Sequence, residues 1–281
     1  MSIAIYLCVI LCLFLFPQYT AKIAEDALYI WASDVLPTLF PYMVFCRLLC
    51  QKLRVLSFPA PLAAVFLGLT GGSPSGASAI LAYSSRLSSR MLLVLCAFTG
   101  TISPMFLLST IPTWMHTHHY GSILLISHWC GAAFSAIFTY ILLRFFPIQP
   151  ANSAPTSEGS TSSALTQSID AILQVGGSIV CCSVTAGLLT KTPFFHGITR
   201  ALFHSLIEIS GGIHALSIAD IPIRHKLFYS APLCGFTSFS ILFQNYAVLK
   251  PLGIHFYQLF IPALIRALGA GIMMAILFPF S

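Results

Sequence analysis

The sequence predicts an all-α integral membrane protein of about seven transmembrane helices plus two re-entrant hairpins, arranged as an inverted repeat. Three observations carry that expectation. Hydrophobic residues fill 57% of the 281 positions and charged residues only 7%, too few to build a polar outer surface. Apolar stretches recur at roughly the 20 residues a helix needs to cross a hydrocarbon core about 30 Å thick. The parts of the first half also recur, in order, in the second.

The spans fall at about 3–17, 28–49, 91–111, 122–146, 168–190, 227–248 and 255–279. The first, ending at Phe16 and Pro17, lacks the basic start and small-residue cleavage site of a secretory signal, so residues 1–27 read as an anchor helix that is kept. Eight of the nine cysteines lie inside apolar spans, where Cys is a small hydrophobe, and they carry no disulfide signal. The net charge of +6 is scattered over short loops instead of forming a basic stripe, which argues against nucleic-acid binding.

One segment breaks the apolar texture. Residues 147–167, rich in Ser, Thr, Pro and Ala, cannot bury a core and read as a flexible linker. It separates a first repeat at 28–146 from a second at 168–281. In the first repeat Asp34 is followed by Pro37 and Pro41, then GLTGGSPSGAS at 68–78, then AFTGTISPMF at 97–106. In the second, Asp170 is followed by Gly176 and Gly177, then IEISGGIHA at 207–215, then GFTSFSILFQ at 235–244. Gly72 to Phe98 is 26 residues and Gly212 to Phe236 is 24, with Phe-Thr after a small residue both times.

Residues 61–82 and 200–220 are apolar at both ends but carry Gly, Ser, Pro or Glu in the middle. A straight span there would leave freed backbone groups in lipid at several kcal/mol each, so each is expected to turn back as two half-helices around a Gly-rich tip. Three crossings plus a hairpin per half is an odd number, and the second half is then inverted relative to the first. Lys and Arg number seven on the side of Arg47, Lys52, Arg54, Arg86, Arg90, Arg144 and Lys250, and five opposite, which favours a cytoplasmic N-terminus.

The GGSPSGA at 71–77, EISGG at 208–212 and GFTSFSILFQ at 235–244 resemble the YlbJ-type sporulation membrane proteins, within the broader nucleoside-recognition or Gate-domain group. The resemblance spans about residues 28–279 and extends in plan to the concentrative nucleoside transporters. It implies a bacterial inner or forespore membrane location, a solute held near mid-membrane by paired hairpins and broken helices, and dipicolinic acid as the solute, with a nucleoside-like compound second.

Candidate site residues follow from the tips and breaks. Thr70, Gly71, Gly72, Ser73, Ser75 and Gly76 are expected to face Ser210, Gly211 and Gly212 across the repeat. Glycine lets backbone amides approach a ligand, and half-helices that start at such tips aim N–H groups at one spot, which suits a carboxylate. The same glycines would also serve plain helix packing. Thr99, Thr101, Thr237 and Ser238 lie where the following helices would unwind, although Ser and Thr also bond their own helix. Gln244 and Asn245 are placed to bond a heterocycle or to bind helices together, with Gln244 taken as the site residue.

Glu208 is the sharpest single residue, since a carboxylate in an apolar stretch marks an ion path or a substrate contact unless it merely caps a helix. Arg266, midway along the last span, is expected to pair with Glu208, to meet an anion or to make a structural ion pair. Asp34 and Asp170 read as helix caps. The loop histidines His116, His118 and His119 and the pair Cys46 and Cys50 lack the convergent ligands of a metal site, and no metal or other cofactor is expected.

No HExxH, GxSxG or P-loop occurs, and no enzyme activity is expected; a membrane enzyme would have to draw on His128, His204 or His214. The function expected is alternating-access transport of a small organic anion or heterocycle, with H+ or Na+ as coupling ion, oligomerisation left open, and a non-transporting sporulation scaffold as the rival.

Overall fold

A computed structural model of the chain describes residues 3–145, 161–192 and 194–279. Among the described residues every regular element is helical. Helix α1 (Ile3–Leu15) stops before Pro17, which opens α2 (Pro17–Ile30) at the position where a missing N–H costs nothing. At about 1.5 Å per residue α1 is roughly 20 Å long, shorter than a hydrocarbon core. The anchor expected over 1–27 is therefore two helices, the second bearing the exposed ion pairs of Lys22 with Glu25 and Asp26.

A π-turn at Trp31–Val35 joins α2 to α3 (Leu36–Val55), so Pro17–Val55 runs as one 39-residue helix that contains the span expected at 28–49. The first hairpin is α4 (Ala60–Gly71) and α5 (Ser75–Tyr83). Next come α6 (Ser89–Thr99), a stretch at 100–103 outside any helix, a π-turn at Phe106–Thr110 and the short α7 (Ile111–Trp114). Helix α8 (Gly121–Leu142) closes this half.

The second half repeats that order. Its elements are α9 (Thr161–Leu189), the hairpin of α10 (Gly197–Ile207) and α11 (Ile209–Ser217), the broken pair α12 (Ile223–Phe236) and α13 (Ser238–Leu249), and α14 (Tyr257–Leu277). The hairpin arms are 12 and 9 residues in the first half and 11 and 9 in the second, and the closing helices 22 and 21.

One expectation changes. The linker expected at 147–167 lies mostly outside the described residues, and its last part, 161–167, is already the first turns of α9. Ala164 and Ser168, one turn apart, are fully buried, and that docking holds the polar stretch helical. The spans expected at 91–111 and 227–248 are broken where unwinding was expected. Gly100 and Pro104 interrupt one, and Thr237 and Ser238, at φ +73 and +75, interrupt the other.

Among the described residues four helices are long and apolar enough to cross a membrane: Pro17–Val55, Gly121–Leu142, Ala164–Leu189 and Tyr257–Leu277. Their outer faces are apolar, with Phe45, Phe134, Ile137, Leu268, Ile272 and Ile276 exposed, as a lipid solvent requires. Between them, α8 and α14 pack most extensively and cross at Gly131 and Gly269. A Cβ on Gly131 would lie 2.6 Å from the Arg266 carbonyl oxygen, so only small residues permit this approach.

Candidate functional site

The first hairpin turns at residues 72–74 and docks on the break at 100–103. Gly72 sits at φ +64, and a Cβ there would come 2.4 Å from the Ser103 amide nitrogen, so both conformation and space demand glycine. The Ser73 amide donates to the Thr101 carbonyl at 2.7 Å, and the Thr101 hydroxyl donates to the Gly68 carbonyl at 3.3 Å. The Ser73 hydroxyl accepts from Asn245 Nδ2 at 2.9 Å, a bond that ties the first tip to α13 of the other half.

The second hairpin turns at a single residue, Glu208, which is 1% exposed. Its carboxylate accepts from the Ser210 amide at 2.9 Å and the Gly211 amide at 2.6 Å, and from the Ser183 hydroxyl at 3.5 Å. The arms of this hairpin touch where a Cβ on Gly212 would lie 2.2 Å from the Ser205 amide nitrogen. His204 Nε2 is buried without a partner among the described residues and faces the same side of Gly211 as Glu208 Oε2, each 3.2 Å from the position a Cβ would take there.

Both tips, the first break and the start of α13 meet around a cavity of about 60 Å3. Ser73 comes from the first tip, Glu208 and Ser210 from the second, Ser103 and Phe106 from the first broken helix, and Ser240 and Gln244 from α13. Thr38 on α3, with Val175 and Ile179 on α9, completes the wall. The Ser103 hydroxyl has no hydrogen-bond partner among the described residues, an uncommon state for a buried polar atom and one a ligand would relieve. The volume exceeds by several-fold the ~10–15 Å3 one water needs.

Arg266, 2% exposed, is not paired with Glu208. Its Nε donates to the Gly235 carbonyl at 2.7 Å, Nη1 to the Ala97 carbonyl at 3.1 Å and Nη2 to the Thr237 hydroxyl at 3.3 Å. Ala97 and Gly235 close α6 and α12, whose last carbonyls have no helical partner, and a guanidinium fork answers both at once. The charge expected to meet Glu208 or an anion thus staples the two broken helices. His128 sits three residues before Gly131, as Arg266 sits three before Gly269, and its Nε2 accepts from the Ile102 amide at 3.1 Å.

Of the residues expected at the site, the cavity gathers Ser73, Glu208, Ser210 and Gln244. Thr70 bonds the Phe66 carbonyl of its own helix, and Thr99 that of Leu95. Ser75 packs on Gly71, Gly76 on the Thr99 carbonyl and Gly68, and Thr237 and Ser238 are buried at the second break away from the cavity. The tip amides expected to hold a carboxylate are already used: Glu208 takes those of Ser210 and Gly211, and Thr101 takes that of Ser73. Sequence reasoning missed Thr38, Ser103 and Ser240. Ser103 and Ser240 stand in the quoted break motifs, but nothing in the sequence says which face of a broken helix turns inward. Among the described residues no group of His, Cys, Asp or Glu is placed to hold a metal ion.

Apolar outer faces, several helices of spanning length and a cavity bearing polar groups between broken helices define a helical multi-pass integral membrane protein. The chain is a relative of the sporulation integral membrane protein YlbJ of Bacillus subtilis (strain 168), 22% identical over 320 residues that cover 93% of this chain and 78% of that protein. No family model matches the chain, and no solved structure does.

Proposed function

We propose that the chain is a transporter that moves a small organic anion or heterocycle through the cavity between the two hairpins by alternating access. In this reading α1 and the three passes of each half make seven crossings, the two hairpins enter from opposite faces, and the halves form an inverted repeat. The matched element lengths support that reading, and the convergence of both tips, the first break and α13 on one cavity containing Glu208 carries it.

The chemistry of the wall narrows the solute. It offers the hydroxyls of Ser73, Ser103, Ser210 and Ser240, the Gln244 amide and one carboxylate, with no cation among its lining residues. Hydroxyls and an amide suit the ring nitrogen and oxygens of a heterocycle. An anion would be held there only with a proton or Na+ on Glu208, because two like charges in so dry a space repel strongly. Dipicolinate, by resemblance to the YlbJ-type proteins, is the first solute to try and a nucleoside the second.

The test is uptake into liposomes containing the full-length protein. Saturable uptake of labelled dipicolinate or a nucleoside is expected, dependent on a proton or Na+ gradient and reduced more than tenfold in Glu208→Gln. No flux of any of these solutes under any gradient would rule the reading out and leave a scaffold.

A further inference from the structure

The central cavity contains no cation, yet a second cavity beside it does. It measures about 190 Å3 against about 60 Å3 for the first, and Val175 and Gln244 line both. Its wall joins Arg47 on α3 to Gln167, Asp170 and Gln174 on α9, with Ser78 on α5 opposite. Gln167, Asp170 and Gln174 are spaced i, i+3 and i+7, so they form one polar stripe on an otherwise apolar helix. All three are exposed, and polar groups at membrane depth face a wet space and not lipid. Arg47 is half-buried; its Nη1 donates to Gln167 Oε1 at 2.8 Å, which occupies one of five N–H donors.

The wall of the central cavity also carries a run of rings. Phe106 lines it, Trp114 stands edge-on to Phe106 at 5.6 Å, and His214 stands edge-on to Trp114 at 5.2 Å. The outer cavity, with its polar stripe and two lining residues in common with the centre, offers a polar solute more hydrogen-bond partners than these rings do.

We propose that the outer cavity is a separate binding station for the carboxylate group of the solute, held by the Arg47 guanidinium, with Gln244 shared between it and the central cavity as the solute moves inward. The proposal rests on the transport reading for its direction but not for its binding chemistry. A planar fork of N–H donors matches a carboxylate in two-point contact, and Asp170 beside it releases the guanidinium without leaving a bare charge when the solute departs. The larger volume lets the solute arrive hydrated and lose water only at the centre.

Two measurements on the full-length protein separate this station from the central site. In liposomes, Arg47→Gln raises the half-saturating concentration for dipicolinate about tenfold, Arg47→Lys restores part of it, and uridine, which has no carboxylate, is affected no more than twofold. Gln174→Trp, which fills the outer cavity, slows both solutes. In detergent, equilibrium binding of labelled dipicolinate weakens in Arg47→Gln by the same factor, whether or not flux is seen. Saturable wild-type uptake with an unchanged half-saturation in Arg47→Gln would overturn the station and leave the transporter. Binding lost in Arg47→Gln with no wild-type flux would keep the station and overturn the transporter. Absence of any dipicolinate binding to the wild type would overturn the station outright.

Discussion

The two halves of the molecule share one plan and solve its problems with opposite chemistry. Each half breaks a helix beside a hairpin tip and so frees backbone groups in a dry interior. In the first half the freed amide of Ile102 meets an acceptor, His128 Nε2. In the second the freed carbonyl of Gly235 meets a donor, Arg266 Nε. The tips differ in the same way: the first is neutral and tied outward to Thr101 and Asn245, whereas the second carries a carboxylate that caps its own helix. The shared plan supplies a frame, and the polar groups that answer its freed backbone differ in sign between the halves.

The largest effect is expected at the closing helices. Arg266→Met leaves two carbonyls and a hydroxyl without their donor in the interior, a loss of about 3–9 kcal/mol at roughly 1–3 for each unmet group. His128→Phe frees only the Ile102 amide and is expected to cost about 1–3 kcal/mol. Denaturant unfolding in micelles compares them, and equal losses would mean that the guanidinium does not join the two breaks.

The tips come next. Gly72→Ala places a Cβ against the Ser103 backbone at a φ that L-residues avoid, whereas Gly212→Ala meets the Ser205 backbone in ordinary helical geometry. Overpacking at about 1–3 kcal/mol applies to both, and backbone strain of similar size only to Gly72. A larger drop in melting temperature for Gly212→Ala would show that the first tip is the looser of the two.

Much of this was legible in the sequence, and for identifiable reasons. Hydrophobic run length fixes spans, so α8, α9 and α14 were foreseen to within a few residues except where a polar start hid the first turns of α9. The Gly-rich tips and the broken character of both hairpins were visible as polar residues inside apolar stretches. The partner of Arg266 was not, because a guanidinium satisfied by carbonyls leaves no complementary residue in the sequence. Nor was the fate of the tip amides, since whether Glu208 turns back on its own helix or out to a ligand is decided by the backbone of one residue.

At the second tip, cap and function can be pulled apart. Glu208→Gln keeps an oxygen able to accept from one of the two amides, so a stability loss of about 1 kcal/mol is expected, the size of an ordinary N-cap. Its effect on gradient-driven uptake should be far greater than that loss explains. A melting temperature that falls as steeply as activity would reduce Glu208 to the structural role its neighbour tip fills without a charge.

The smallest effect tests a bond that crosses between the halves beside the central cavity. Ser73→Ala and Asn245→Ala each remove a partner of the 2.9 Å contact, and Asn245 Oδ1 already has no partner among the described residues. A double-mutant cycle should return a coupling of about 0.5–1.5 kcal/mol, the net worth of a buried neutral hydrogen bond. If the halves move against one another around the solute, this bond exists in one arrangement only, and breaking it alters the balance between arrangements without dismantling either. Uptake rate should then change in Ser73→Ala by no more than the factor set by that coupling, about two- to tenfold. A coupling near zero would mean that the first tip is held by its own half alone, through the Ser73 amide and the Thr101 carbonyl.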